Sequence, residues 1–315
     1  MQHVSRSRIS RPKNLRPGNF RTDLVLQVFI YACITGLSLA IILPCLNILA
    51  LSFNDGADAA RGGISFWPRV FSLDNYREVF RDGKVMRAYR ITLLRTVAGT
   101  LGKLICTAMA AYAVKNKNLP GRRFINFFIT FTMLFGGGVI PTYIQYARLG
   151  LINNFWVYVV PSLVDVIHLM MIRTAFETIP DSLEESAKLD GCGYFVCFIR
   201  IILPLSKAVI AVVALFTAVG HWNDWFAGAF YMTSDKNWPV ATVLRQMLQR
   251  AMDVSRADPN TALSLTTLLS REGHIVTSDS LKMSTVVIST VPILCIYPFV
   301  QKYFTKGVMI GAVKG

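Results

Sequence analysis

The chain has 315 residues, 53% of them hydrophobic and 16% charged, with a mean hydropathy of +0.45. Soluble domains carry about 25% charged residues, so the composition excludes an ordinary soluble fold and points to a bilayer. The formal net charge of +15 does not signal nucleic acid, because the Lys and Arg are spread among several loops, as in the cytoplasmic loops of a membrane protein.

Residues 1–23 form a polar, basic N-terminal extension. The stretch from Leu24 to Phe53 carries no charge. It is too long for the apolar core of a signal peptide and long enough to cross a bilayer with tilt. A crossing helix needs roughly 20 mainly apolar residues. Six segments meet that need: Leu24–Leu51, Ile91–Val114, Phe124–Tyr146, Phe155–Phe176, Ile201–Phe226 and Ser284–Phe304. The expected fold is all-α, a polytopic membrane protein with six transmembrane helices over residues 24–304. Six crossings put both termini on one side. The basic first tail and the short loop "KNKNLPGRR" place that side in the cytoplasm. Residues 52–90 and 231–283 then lie outside. Their amphipathic pieces "SLDNYREVF" and "WPVATVLRQMLQ" read as caps on the outer rim or as interfacial helices.

Ionisable residues inside spans mark pathways by default. The second span holds Arg95 and Lys103, and the fourth holds Asp165, His168 and Arg173. Asp165 and His168 are three apart and are expected to share a helix face. They fit a polar translocation path or a structural pairing with Arg95 or Lys103. Arg173, near the inner end, is expected to snorkel. Gly136–Gly138 ahead of Pro141 fit either a broken span or close helix packing. His221, Trp222, Asn223, Asp224 and Trp225 offer aromatic faces and hydrogen-bonding groups suited to a sugar, and equally resemble an interfacial aromatic belt.

Residues 177–207 form the longest inner loop. In "IPDSLEESAKLDG", Pro180 precedes a helix of about two turns, Ser182 with Glu185 fits a capping box, and Gly191 ends it in the left-handed conformation. Asp181, Glu184 and Glu185 favour the first turn. A second helical piece, "YFVCFIRIILP", follows, and Pro204 marks the turn into the fifth span. The short helix reads as an ordinary interfacial element or as a compact docking face, with Ala187 permitting close approach.

No catalytic site is expected. There is no pairing of acids with a histidine and no nucleophile motif. No metal site is expected either, since Cys192 and Cys197 are five apart with no histidine near. A Walker A sequence is absent, so any ATP would be bound by another chain. A self-contained secondary transporter is the alternative reading. It should show internal repeats and several midplane carboxylates, of which only Asp165 is a candidate.

"EESAKLDG" with the later "IILP" resembles the EAA loop of ABC importer permeases. Glu185, Ser186, Ala187, Gly191, Ile201, Leu203 and Pro204 fill the pattern, with Ser186 in place of the first alanine. "FGGGVIPTYIQYARLGLINNFWVYVVPSLV", "VGHWNDWFAGAFYM" and the ending "KYFTKGVMIGAVKG" are similar to further segments of the carbohydrate permeases. The resemblance covers roughly residues 85–315 and leans towards polysaccharide permeases, those of alginate importers included, with the smaller maltose permease more distant. It implies the ABC importer type I permease fold and a non-catalytic subunit forming half of a sugar pore. It implies coupling to a cytosolic ATPase through Glu184, Glu185, Ser186, Ala187, Asp190, Gly191 and Pro204. By the same resemblance the tail at 305–315, with Gly307, Gly311, Lys314 and Gly315, inserts between two ATPase subunits. The implied partners are a homologous second permease, an ABC ATPase dimer holding ATP and Mg, an extracytoplasmic sugar-binding protein and membrane lipids. No cofactor is implied in this chain. Asp165, His168, Trp222, Asn223, Asp224 and Trp225 are the candidates for the substrate path.

Overall fold

The computed structural model describes residues 20–81, 83–256, 280–295 and 298. Residues 1–19, the later part of the expected sixth span, and the tail positions Gly307, Gly311, Lys314 and Gly315 lie outside the described residues.

Helix α1 (Phe20–Ser52) runs for 33 residues. It is apolar all round, and none of its most apolar stretch is buried within the chain, which suits a helix bathed in lipid. Its C-terminal end is tied down by polar groups. Asn75 donates to the carbonyls of Ser52 (3.1 Å) and Asn54 (2.8 Å), and Asn54 Oδ1 accepts from the backbone N–H of Arg69 and Val70. Two short helices, α2 (Gly56–Ala60) and α3 (Asp74–Arg81), complete this cap.

Helix α4 (Lys84–Lys115) is the centre of the fold, 32 residues without a break. Its buried residues, among them Ala88, Thr92, Arg95, Gly99, Lys103 and Thr107, recur every three or four positions and so form one stripe. The stripe packs against α7 (Val166–Glu177) and α11 (Lys207–Asn223). Between α4 and α7 lie α5 (Arg122–Leu134) and α6 (Val139–Arg148). Between α7 and α11 lie α8 (Asp181–Leu189), α9 (Tyr194–Cys197), a π-turn (Phe198–Ile202) and α10 (Leu203–Leu205). The chain then forms α12 (Phe226–Tyr231), α13 (Val240–Arg256) and α14 (Ser280–Cys295).

Three of the expected spans are bent. The third is two helices, α5 and α6, meeting at 118°. Phe135 is extended, Gly138 has φ 79°, and Pro141 cannot donate in the first turn of α6. Of the two readings of Gly136–Gly138, the break is the one observed. The fourth begins as two 3₁₀ turns, Phe155–Tyr158 and Val160–Ser162, and bends by 45° before α7. Pro161 and the extended Asp165 prevent one continuous helix. The fifth starts at Lys207, not Ile201, and the 83° bend falls at Ser206, two residues beyond Pro204. Among the described residues, two single helices are long and apolar enough to cross a membrane, and three bent pairs could supply further crossings.

Two apolar clusters hold the bundle. One joins α4, α7, the π-turn and α11 through Ala108, Leu169, Ile172, Phe176, Ile202 and Val213. The other gathers Leu151, Val157, Tyr158, Val159, Tyr231 and Met232 around the 3₁₀ turns and α12. The amphipathic helix α13 does not lie apart on the rim. Val240 and Val243 pack on Ala88 of α4, and the Val240 N–H donates to Thr92 Oγ1 at 2.9 Å.

Close approach of α4 and α11 depends on Gly99. A Cβ there would fall 2.3 Å from Nε2 of the buried His221 ring. Gly99→Val should therefore cost about 1–3 kcal/mol of stability through overpacking, read as a lower unfolding midpoint in detergent. Gly36→Val, at a position with no atom within 4 Å, should leave the midpoint unchanged.

Candidate functional site

The loop helix α8 starts earlier than its sequence signal suggests. Pro180, with φ −57° and ψ 131°, is the N-cap and offers no side-chain hydrogen bond. The expected capping box is not formed, because Ser182 and Glu185 both lie inside the helix. Proline at the boundary sets the first turn before Ser182 can cap it. Asp181 meets Lys117 at 3.0 Å. That hydrogen bond and charge hold the Asp181 carboxyl below its ordinary value of 3.8. Its small contribution to stability is present above that value and is lost as pH falls through the lowered one.

The other end of α8 behaves as expected. Gly191 adopts φ +85°, its N–H donates to Lys188 O (3.0 Å), and the Cys192 N–H donates to Ala187 O (2.9 Å). These paired bonds are the Schellman arrangement, which satisfies the last carbonyls and turns the chain sharply.

Glu184 differs from the expected docking face. It is 9% exposed and forms an ion pair with Lys115, the last residue of α4, while Tyr112 OH lies 3.2 Å from its second oxygen. Glu184 thus fastens α8 to α4 from the inside. Glu185, Ser186 and Asp190 are exposed, and Ala187 is half-buried. Leu189, not singled out from the sequence, is 89% exposed. Leu183 on the same helix is 46% exposed. Pro204 is exposed on α10, just before the 83° elbow. An open pocket of about 1010 Å³ separates α8 from the turn after α4, with Lys115, Asn118, Asp181, Glu185 and Tyr194 on its walls.

Within the spans, Arg95 is fully buried. Its Nε donates to His221 O (2.8 Å), its Nη2 meets Asp224 Oδ2 (3.0 Å), and its guanidinium lies 4.8 Å from the Tyr158 ring centre. Arg95 therefore pairs with Asp224, not with Asp165. Asp224 also accepts the N–H groups of Phe226 (2.9 Å) and Ala227 (3.2 Å) and so caps α12. It is engaged in the fold on both sides.

Asp165 and His168 do not share a helix face. Asp165 is extended (φ −123°, ψ 128°) and caps α7, accepting the His168 N–H at 2.9 Å. The His168 ring Nδ1 lies 3.3 Å from the same carboxyl oxygen. Lys103, on the facing stripe of α4, feels the charge of Asp165. Arg173 does not merely snorkel: it reaches Glu177 and Asn126, both at 2.9 Å, and ties α7 to α5.

At the other end of α11, Trp222 Nε1 donates to Ser289 O of α14 at 3.1 Å. Trp225 lies under the Arg245 guanidinium of α13, 3.6 Å from its ring centre. Asn223 is exposed between them. Trp222, Asn223 and Trp225 meet in a pocket of about 300 Å³. The structure thus separates the candidate path residues into an aromatic pocket at the C-terminal end of α11, the Arg95–Asp224 pair, and a group around Asp165 and His168 at the start of α7.

Residues 103–310 match the family described as "Binding-protein-dependent transport system inner membrane component". The chain is 38% identical over 297 residues to Protein LplC of Bacillus subtilis (strain 168), covering 94% of this chain and 97% of that one. It is 33% identical over 289 residues to the polygalacturonan/rhamnogalacturonan transport system permease protein YtcP of the same organism, covering 92% and 98%. Among solved structures, a bacterial ABC transporter involved in the import of the acidic polysaccharide alginate superposes with TM-score 0.82 and 26% identity, covering 91% of this chain and 99% of that one.

The Lys115–Glu184 pair predicts a specific pattern of stability. Glu184→Leu alone leaves a buried ammonium unpaired and should cost about 3–5 kcal/mol. Lys115→Met with Glu184→Leu removes both charges and should recover most of that loss. Thermal unfolding of the detergent-purified native chain and the two variants checks this, and a double variant no more stable than the single one would contradict it.

Proposed function

The chain belongs to the binding-protein-dependent transport system inner membrane components, and we propose that it is one of two permease subunits of an ATP-driven importer of oligosaccharides or polysaccharides. It is a multi-pass membrane subunit without catalytic chemistry of its own. The observation that carries the finer reading is α8, a short polar helix that is pinned inwardly by Glu184 and bares Glu185, Ser186 and Leu189 outwardly.

On this reading both termini lie in the cytoplasm and six helices cross the bilayer. A homologous permease completes the pore, and a separate ATPase dimer binds ATP and Mg. An extracytoplasmic sugar-binding protein delivers substrate. The outward face of α8 sits in a cleft of the ATPase. When ATP closes the ATPase dimer, α8 moves with the cleft, and the buried Lys115–Glu184 pair passes that motion to α4. Helices α7 and α11, packed on the α4 stripe, move with it and open the path outward. Hydrolysis and product release return the permeases to the inward-facing state. Bistable packing of this kind turns small local shifts into larger rearrangements.

The test uses the chain tagged in its native cell and extracted in mild detergent. A second permease and an ATPase should co-purify. In the variant carrying Glu185→Lys with Leu189→Arg, the ATPase should be lost while the second permease stays, because both side chains project free of this chain's core. Retention of the ATPase by that variant would remove α8 as the docking element. Purification of the native chain alone would favour a self-contained transporter.

A further inference from the structure

The pocket of about 300 Å³ at the outer end of α11 has a composition that the pore role alone does not require. It lies between α11, α13 and α14 and is lined by Trp222, Asn223, Trp225, Arg245, Ser289 and Thr290. Its volume is at the small end of the range for ligand pockets, roughly 300–1,000 Å³. The Trp222 indole supplies a flat apolar surface of the kind that packs against the C–H face of a pyranose ring, while the Trp225 ring carries Arg245. Exposed Asn223 offers an amide for ring hydroxyls.

Arg245 sets the chemistry. Its guanidinium carbon lies 3.6 Å from the centre of the Trp225 ring, so the cation–π contact holds the charged group at the pocket. Among the described residues it meets no carboxylate within ion-pair distance. The neighbouring carboxylate of Asp224 is engaged by Arg95 and by the α12 N–H groups. Among the described residues, no carboxylate pairs with the positive charge at this mouth. A guanidinium takes a carboxylate in bidentate fashion, an arrangement that a neutral sugar cannot supply.

We propose that this pocket is a uronate subsite, in which the Trp222 ring holds the pyranose and Arg245, seated over Trp225, reads its carboxylate. The inference rests on the sugar-importer reading and gives it a substrate class, oligosaccharides that carry carboxylates. Arg245 is then a specificity-determining residue at the entrance of the path, and Asn223 orients the ring hydroxyls. The similarity to a polygalacturonan/rhamnogalacturonan permease and to an importer of the acidic polysaccharide alginate is in keeping with this class.

The test is uptake by the complete importer, purified from native membranes with its ATPase, second permease and binding protein and reconstituted in vesicles. The probes are a galacturonate trisaccharide and its methyl ester, which has the same ring skeleton without the charge. Arg245→Gln should lower uptake of the acid at least tenfold and leave uptake of the methyl ester unchanged, with Arg245→Lys intermediate. Co-purification of the partners with each variant verifies assembly. Equal uptake of the acid by native and Arg245→Gln complexes would overturn the subsite. An equal loss for both probes would also overturn it, assigning Arg245 to assembly or to docking of the binding protein. If the native complex imports neither probe yet retains its ATPase, the subsite falls while the permease reading survives. If no ATPase is present at all, the importer reading falls with it.

Discussion

A cation buried in a membrane span needs an anion, and α4 carries three cations along its buried stripe. Arg95, Lys103 and Lys115 are each 9% exposed or less. An unpaired charge in such a place costs several kcal/mol, so each one dictates what packs against it. Arg95 fixes the end of α11 and the start of α12 through Asp224. Lys103 faces the start of α7, where Asp165 is the cap. Lys115 holds α8 through Glu184. The neighbours of α4 are thus selected by charge as well as by apolar fit.

This arrangement places two exposed features at the opposite ends of one unbroken helix. At one end lies the pinned helix α8 with Leu189 bare, and at the other lies the aromatic pocket roofed by Arg245. The elements around α4 are bent at 118°, 45° and 83°, while α4 itself is continuous. Bent spans expose backbone groups that hydrocarbon cannot satisfy, which is tolerated where they line a cavity or meet protein. The contrast suits a device in which a stiff central rod carries motion and jointed elements around it shape the path.

Much of this was legible in the amino-acid sequence, and the failures have physical reasons. The α1 span follows from its uncharged stretch, α4 from an apolar run that holds Arg95 and Lys103, and the left-handed Gly191 from the short polar loop it ends. The break at Gly136–Gly138 was visible as a possibility, since triple glycine ahead of proline fits a kink and close packing alike. Asp165 and His168 were misjudged because an N-cap and a helical i,i+3 pair look identical as a spacing. The Ser182–Glu185 box failed because Pro180 sets the helix start on its own. The inward turn of Glu184 depends on Lys115, 69 residues earlier in the chain, and no local pattern reports it. Leu189 was overlooked because a leucine in a polar helix carries no periodicity.

The central claim is that α8 and α4 move as one body, joined by the Lys115–Glu184 pair. Pulsed spin-label distance measurement between Ser186 on α8 and Met86 at the far end of α4 tests it most directly. The full importer would be compared without nucleotide and trapped with ATP, with a second label pair verifying that this chain rearranges against its sister permease. The account predicts the same Ser186–Met86 distance in both states. A distance that changes between them would show that α8 swings on α4, and would contradict the claim.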